Sequence, residues 1–227
     1  MKTAIVTGAA GNLGREVIRK FISQGYKVAG TLMPGESVDF PAEYFQGMTV
    51  DLLNEEASQK AVGAIIERNG AIDAAVLTVG GFAAGDIEAT TTSDIQKQYK
   101  LNFETAYNIA RPVFIQMRKQ KRGRIFLVGS RPGLDGRHGK GMVAYSLAKS
   151  LLFRLAELMN HEGQDDNVVV SVFIPGTIDT PQNRKAMPDA DFSKWVKAEE
   201  IAGVISFYCS NESVSVREPI IKMYGAL

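Results

Sequence analysis

Short apolar, β-branched runs alternate along this chain with longer stretches in which apolar side chains recur at the helical period. Residues 2–7 (KTAIVT) predict a strand and residues 12–23 a helix. Residues 26–32 and 47–52 predict two further strands, and residues 54–69 a second helix. The alternation continues with strands at 71–79, 123–130, 167–175 and 219–224, and with helices at 93–120, 143–162 and 199–210. Strands that are almost wholly apolar and separated by helices belong in a parallel sheet buried on both faces, with right-handed crossovers. The pattern therefore predicts an α/β fold: one doubly wound parallel sheet of about seven strands with helices on both faces. Residues 1–227 are expected to form a single domain, with residues 177–198 as a short lid. Pro112 interrupts the 93–120 stretch and predicts a bend or a new turn there.

In such sheets ligands bind beyond the carboxyl ends of the strands, where the strand order reverses. Five segments of unusual composition fall at strand ends. TGAAGNLG closes the first strand with Gly8, Gly11 and Gly14 spaced three apart, which allows a tight turn and lets backbone amides approach a pyrophosphate at a helix N-terminus. Asp51 ends the third strand, as a helix cap or as a ligand contact. Gly80 and Gly81 close the fourth strand, Ser130 the fifth, and Pro175 and Gly176 open PGTIDTP after the sixth. On the helix that follows, Tyr145 and Lys149 are one turn apart, so an ammonium can lie beside a phenol.

Composition narrows the partners. The chain has 227 residues, with 26 Lys and Arg against 25 Asp and Glu, so no strongly charged surface directs it to nucleic acid or to an anionic membrane. Cys209, the only cysteine, reads as a small buried thiol, which leaves no disulfide. His138 and His161 lack ligand spacing, so no metal site is expected. No apolar run suits a signal peptide or a bilayer span, and the chain is expected to be soluble and cytoplasmic.

In this order, TGAAGNLG, VDL, VGG, Asn102 in KLNF, Ser130, YSLAK and PGTIDT resemble the short-chain dehydrogenase/reductase family over essentially the whole chain. The resemblance implies a Rossmann domain that binds NAD(H) or NADP(H) and passes a hydride to or from a small carbonyl substrate. It assigns Tyr145 as proton donor or acceptor, and Lys149 as the charge that lowers its pKa and the holder of the nicotinamide ribose. Ser130 becomes the donor to the substrate oxygen, and Asn102 the holder of a water. Gly8, Gly11, Asn12, Leu13 and Gly14 would face the pyrophosphate, Asp51 and Leu52 the adenine, and Gly80 its ribose. Pro175, Gly176, Ile178 and Thr180 would face the nicotinamide. Leu32 and Met33 occupy the positions that choose between dinucleotides. Glu36 is within reach and no arginine is near, which leans toward NAD(H).

The glycine spacing, VGGFAAG, GLDG and TIDTPQNRKAMPDADFSKW are similar to the dihydropteridine reductase-like subgroup, whereas Asn102 and Ser130 favour ordinary carbonyl chemistry. A non-catalytic dinucleotide-binding sensor is the alternative of another class. Phe82 reads equally as a stacking surface or a buried aromatic, and Trp195 as a lid closure or a loop anchor. Arg131, Arg137, His138 and Lys140 read as a solvated loop face. Family members commonly pair through their long helices into homodimers or homotetramers.

Overall fold

Seven parallel strands lie in the order β3-β2-β1-β4-β5-β6-β7 in the computed structural model, which describes residues 1–225. They are β1 (Thr3–Thr7), β2 (Lys27–Leu32), β3 (Phe45–Thr49), β4 (Ala74–Leu77), β5 (Gly123–Val128), β6 (Val168–Pro175) and β7 (Ile220–Met223). Every residue of β1 and β4 is buried, as a central strand covered on both faces requires. The strand order reverses between β1 and β4, which opens a crevice at their carboxyl ends.

Helices α1 (Asn12–Ser23) and α8 (Ala198–Tyr208) cover one face, where Val17, Ile18 and Phe21 meet Ile201 and Ile205. Helices α2 (Glu55–Asn69), α4 (Thr105–Lys119) and α6 (Val143–Gly163) cover the other around Ile65, Ile109, Met117, Leu127 and Leu152. Short helices α5 (Arg131–Leu134) and α7 (Pro181–Ala186) rim the carboxyl edge, and α3 (Thr92–Tyr99) leads toward α4.

Three boundaries depart from the pattern. The third strand begins and ends earlier than expected, so Asp51 and Leu52 fall in the following turn. β3 is an edge strand that is only half-buried, with Phe45 packed against one core and Met48 against the other, and the apolar run continues beyond it through Val50 and Leu52, which pack on the same core as Met48. Asn54, not Asp51, caps α2: its Oδ1 accepts from the Ala57 amide at 2.9 Å. The stretch 93–120 breaks in a π-helical segment at Lys100–Glu104 rather than at Pro112, which lies inside α4. Burial of Ile109, Val113, Phe114 and Met117, about 1.5–3 kcal/mol each, outweighs the cost of about 3 kcal/mol for an interior proline. Cys209, half-buried beyond α8, has its thiol pushed up to about 12 by desolvation.

Candidate active site

The loop between β1 and α1 is shaped by its glycines. Gly8 has φ +65°, a left-handed conformation, and its carbonyl accepts from the Gly11 amide at 3.0 Å. At Gly14 a Cβ would stand 2.2 Å from the Gly8 carbonyl oxygen, so α1 can lie directly on the loop only with glycine there. Gly11 precedes α1 in an extended conformation without a side-chain cap, which leaves first-turn amides available to an anion. Thr31 ties the loop to the end of β2: its Oγ1 accepts from Gly8 N at 3.2 Å and its carbonyl from Ala9 N at 2.9 Å.

Two residues expected at the cofactor have their side chains in the cores, which leaves their backbone for such a contact. Leu13 and Leu52 are both buried in the hydrophobic cores, one on each side of the sheet. The Leu52 carbonyl accepts from Asn108 Nδ2 at 2.9 Å, which steadies the turn carrying the exposed Asp51. Asp51 Oδ1 accepts from Leu53 N at 3.0 Å. At the end of β2, Glu36 Oε2 accepts from Met33 N at 2.8 Å, holding the carboxylate where Leu32 and Met33 offer no charge.

Ser130, Tyr145, Lys149 and Asn102 gather at the ends of β4 and β5. Ser130 precedes α5, and its Oγ accepts from the Gly133 amide at 3.2 Å. Gly133 lets α5 press on α6, since a Cβ there would meet Lys149 Cβ at 2.6 Å. Lys149 is 4% exposed and donates from Nζ to the Val128 carbonyl at 2.7 Å; burial brings its ammonium down to about 8. Its Nζ lies 6.0 Å from the centroid of the Tyr145 ring. Burial pushes the Tyr145 phenol above its ordinary 10, and hydrogen bonding with the Ser130 side chain only partly opposes this. In the protein without dinucleotide, desolvation outweighs that hydrogen bond; the charge of an oxidised nicotinamide, which the family resemblance expects beside the phenol together with Lys149, would act in the opposite direction.

Asn102, fully buried in the π segment, has its side chain committed to protein. Its Oδ1 accepts from Gly81 N at 3.0 Å, and its Nδ2 donates to Gly81 O at 3.0 Å and to Gln98 Oε1 at 2.9 Å. The side chain thus grips the loop after β4. Gln98 was missed; its signal was the amide pair one helical turn apart. Gly80 is the junction, since a Cβ there would lie 2.7 Å from Asn102 Oδ1 and 3.1 Å from Lys149 Nζ.

Beyond β6, Gly176 packs against Tyr224, whose carbonyl oxygen a Cβ would meet at 2.7 Å. Ile178 and Val196 pair, and Val196 N donates to Thr177 O at 2.9 Å, so residues 177–198 form a loop closed at its base. Thr180 Oγ1 caps α7 by accepting from Asn183 N at 3.1 Å. Arg184 pairs with both oxygens of Asp179 at 2.6 and 2.7 Å, which holds that carboxyl below its usual range, and lies 4.8 Å from the Phe192 ring. Trp195 packs on Phe192 at 4.7 Å, an anchor within the loop. From α1, Asn12 Nδ2 donates to Gln182 Oε1 at 2.9 Å across the crevice. Arg137 is exposed and paired with Asp135, and His138 and Lys140 are exposed, as a solvated loop face would be. Arg131 instead is half-buried and stacks 4.3 Å from the Tyr224 ring.

A glycine cradle at a helix N-terminus, placed where a parallel sheet reverses its order and facing a Ser, Tyr and Lys cluster, defines a dinucleotide-dependent oxidoreductase. Residues 2–191 match the family model described as short chain dehydrogenase, and the chain belongs to that family of NAD(P)-dependent oxidoreductases. It is 29% identical to an acetoacetyl-CoA reductase from Acinetobacter sp. (strain RA3849), covering 100% of this chain and 97% of the relative. It is 26% identical to a cyclic-di-GMP-binding biofilm dispersal mediator protein from Escherichia coli (strain K12), covering 99% and 96%. Its fold matches the solved structure of ElxO with NADP bound, with a TM-score of 0.90 at 20% identity over 99% of this chain and 97% of that one. These relatives lend no support to the dihydropteridine reductase-like likeness of the loop. Among the described residues no helix is long and apolar enough to cross a membrane.

Proposed function

We propose that this enzyme reduces a small ketone, with NADH as the reductant and Tyr145 as the proton donor. The observation that carries the reading is the placement of Tyr145 beside Lys149 and Ser130 at the carboxyl ends of β4 and β5. Its phenol stands one helical turn from Lys149, and burial pushes its pKa above 10, so it carries its proton at neutral pH as an ordinary phenol does. A protonated phenol is the form that can give a proton to a developing alkoxide. The Ser130 hydroxyl would donate to that oxygen as charge grows on it. The acetoacetyl-CoA reductase among the relatives supports a ketone as substrate.

The crevice suits a dinucleotide because side chains are missing where the ligand must approach. A Cβ at Gly14 would strike backbone, and one at Gly80 would strike Asn102 and Lys149. Bound there, the reduced dinucleotide supplies the hydride. Gly8, Gly11, Asn12 and Gly14 would hold its pyrophosphate, with Leu13 contributing its amide only. Asp51 and the backbone of Leu52 would border the adenine, and Gly80 its ribose. Lys149, Pro175, Gly176, Ile178 and Thr180 would border the nicotinamide end. Glu36 favours NAD(H), since a carboxylate accepts from a ribose 2′-hydroxyl and repels a 2′-phosphate.

Residues 1–227 act as one domain in this reading, with 177–198 closing over the substrate. Exposed Tyr99, Tyr107, Ile115, Leu147, Leu151 and Leu158 on α3, α4 and α6 suit pairing into a homodimer or homotetramer. The deciding experiment mixes the protein with NADH or NADPH and a panel of ketones and follows nicotinamide absorbance, for the parent and for Tyr145→Phe. The expected result is turnover by the parent, a loss of about 10²- to 10⁴-fold in the variant, and unchanged cofactor binding. Equal turnover by both proteins refutes the reading. The cyclic-di-GMP-binding relative motivates a second reading, a binding protein without turnover, which predicts no ketone reduction by either protein.

A further inference from the structure

We propose that Phe82 is a stacking wall for a planar, conjugated ring carried by the substrate next to its reacting carbonyl. The proposal deepens the reading of this site as a ketone reductase and rests on it. Isolated exposed apolar side chains are ordinary, so the 64% exposure of Phe82 signifies nothing alone. Its position does. The ring stands edge-on to the Tyr145 ring, with centroids 5.3 Å apart and planes at 73°. It therefore shares the mouth of the site with the hydroxyl that would give up the proton.

The backbone beneath the ring is fastened at both ends. On one side Asn102 holds both polar groups of the Gly81 peptide, and Gly81 is pressed on the π segment, where a Cβ would meet Leu101 Cδ2 at 2.8 Å. On the other, Gly85 N donates to Gly141 O at 2.8 Å and Val143 N donates to Gly85 O at 2.9 Å. Between these ties lie only Phe82, Ala83 and Ala84, so one large side chain projects from a small-residue arch. A hollow of about 150 Å³ beside the arch is lined by Ala83, Ala84, Gly85 and Ala144 among others but by none of Ser130, Tyr145 or Lys149, so it is not the reacting crevice. An aromatic side chain held still beside a reacting group offers a flat substrate stacking or edge contact at little cost in conformational freedom.

The test compares acetophenone with cyclohexyl methyl ketone, which are similar in size and differ in flatness. Each is reduced by the parent, Phe82→Leu and Phe82→Trp, with kcat and KM measured separately. The intrinsic difference in reactivity cancels when each variant is divided by the parent. The kcat/KM ratio of aryl to cyclohexyl ketone is expected to fall about two- to tenfold in Phe82→Leu, mainly through KM, and to be kept in Phe82→Trp. Equal loss on both ketones, or no change on either, overturns the proposal. If the parent reduces no ketone of any kind, the ketone reading fails separately. Acetophenone binding to the NAD⁺-loaded protein, followed by saturation-transfer NMR, then decides on Phe82: loss in Phe82→Leu supports the wall, and its persistence or its absence from the parent overturns it.

Discussion

Lys149→Met should leave the protein more stable at neutral pH while removing its activity. Lys149 is 4% exposed, and desolvation alone brings its ammonium from 10.5 to about 8. At about 1.4 kcal/mol per tenfold, that displacement costs the folded state about 3 kcal/mol wherever the lysine is charged in both states. The cost is present in full below pH 8. Between about 8 and 10.5 the folded protein holds a neutral amine while the unfolded chain still binds the proton, so stability rises with pH and the cost disappears. Methionine has similar length and no charge, but it forfeits the 2.7 Å bond to the Val128 carbonyl, worth about 1 kcal/mol at every pH. The variant should thus gain about 2 kcal/mol at pH 6.5 and lose about 1 kcal/mol near pH 10.5. Urea unfolding of both proteins across that range, without dinucleotide, measures the difference. A difference that does not change with pH, or a variant less stable than the parent at pH 6.5, would refute the argument.

Other substitutions probe the crevice. Glu36→Gln should lower the ratio of kcat/KM for NADH to that for NADPH by about tenfold or more, because a charged hydrogen bond is worth about 1.5–3 kcal/mol; initial rates with each cofactor measure it. Gly14→Ala forces a methyl to within 2.2 Å of the Gly8 carbonyl oxygen. It should cost about 1–3 kcal/mol in denaturant unfolding and weaken dinucleotide binding in a fluorescence titration. Gln182→Leu breaks the exposed bridge to Asn12. It should change stability by less than about 0.5 kcal/mol, yet speed NADH release several-fold in stopped-flow fluorescence.

The sheet was legible because its central strands are buried on both faces and read as unbroken apolar runs. β3 was set a few residues late because it is a half-buried edge strand opening on Phe45 and Gln46, while Val50 and Leu52 pack on the core beyond its end and lend the turn a strand-like look. The π segment was illegible for a related reason: the apolar period runs through it. What interrupts the helix is a contact distant in sequence, the grip of Asn102 on Gly81. The motif located Ser130, Tyr145, Lys149 and Asn102, which the structure brings together. It also named Leu13 and Leu52, whose apolar side chains serve the core, and passed over Gln98, which supports Asn102 from the preceding turn.

The electrostatics of the tyrosine and lysine show where spacing stops being informative. A four-residue gap on a helix makes the two groups neighbours, and neighbours alone would make the phenol more acidic. In the folded chain both groups are withdrawn from water, and each is driven toward its neutral form: the phenol upward and the ammonium down to about 8. The lysine bonds to the Val128 carbonyl rather than to the phenol, so its charge reaches the ring only across 6.0 Å. How each residue is buried, which no spacing encodes, therefore weighs on both groups more than their separation along the helix does.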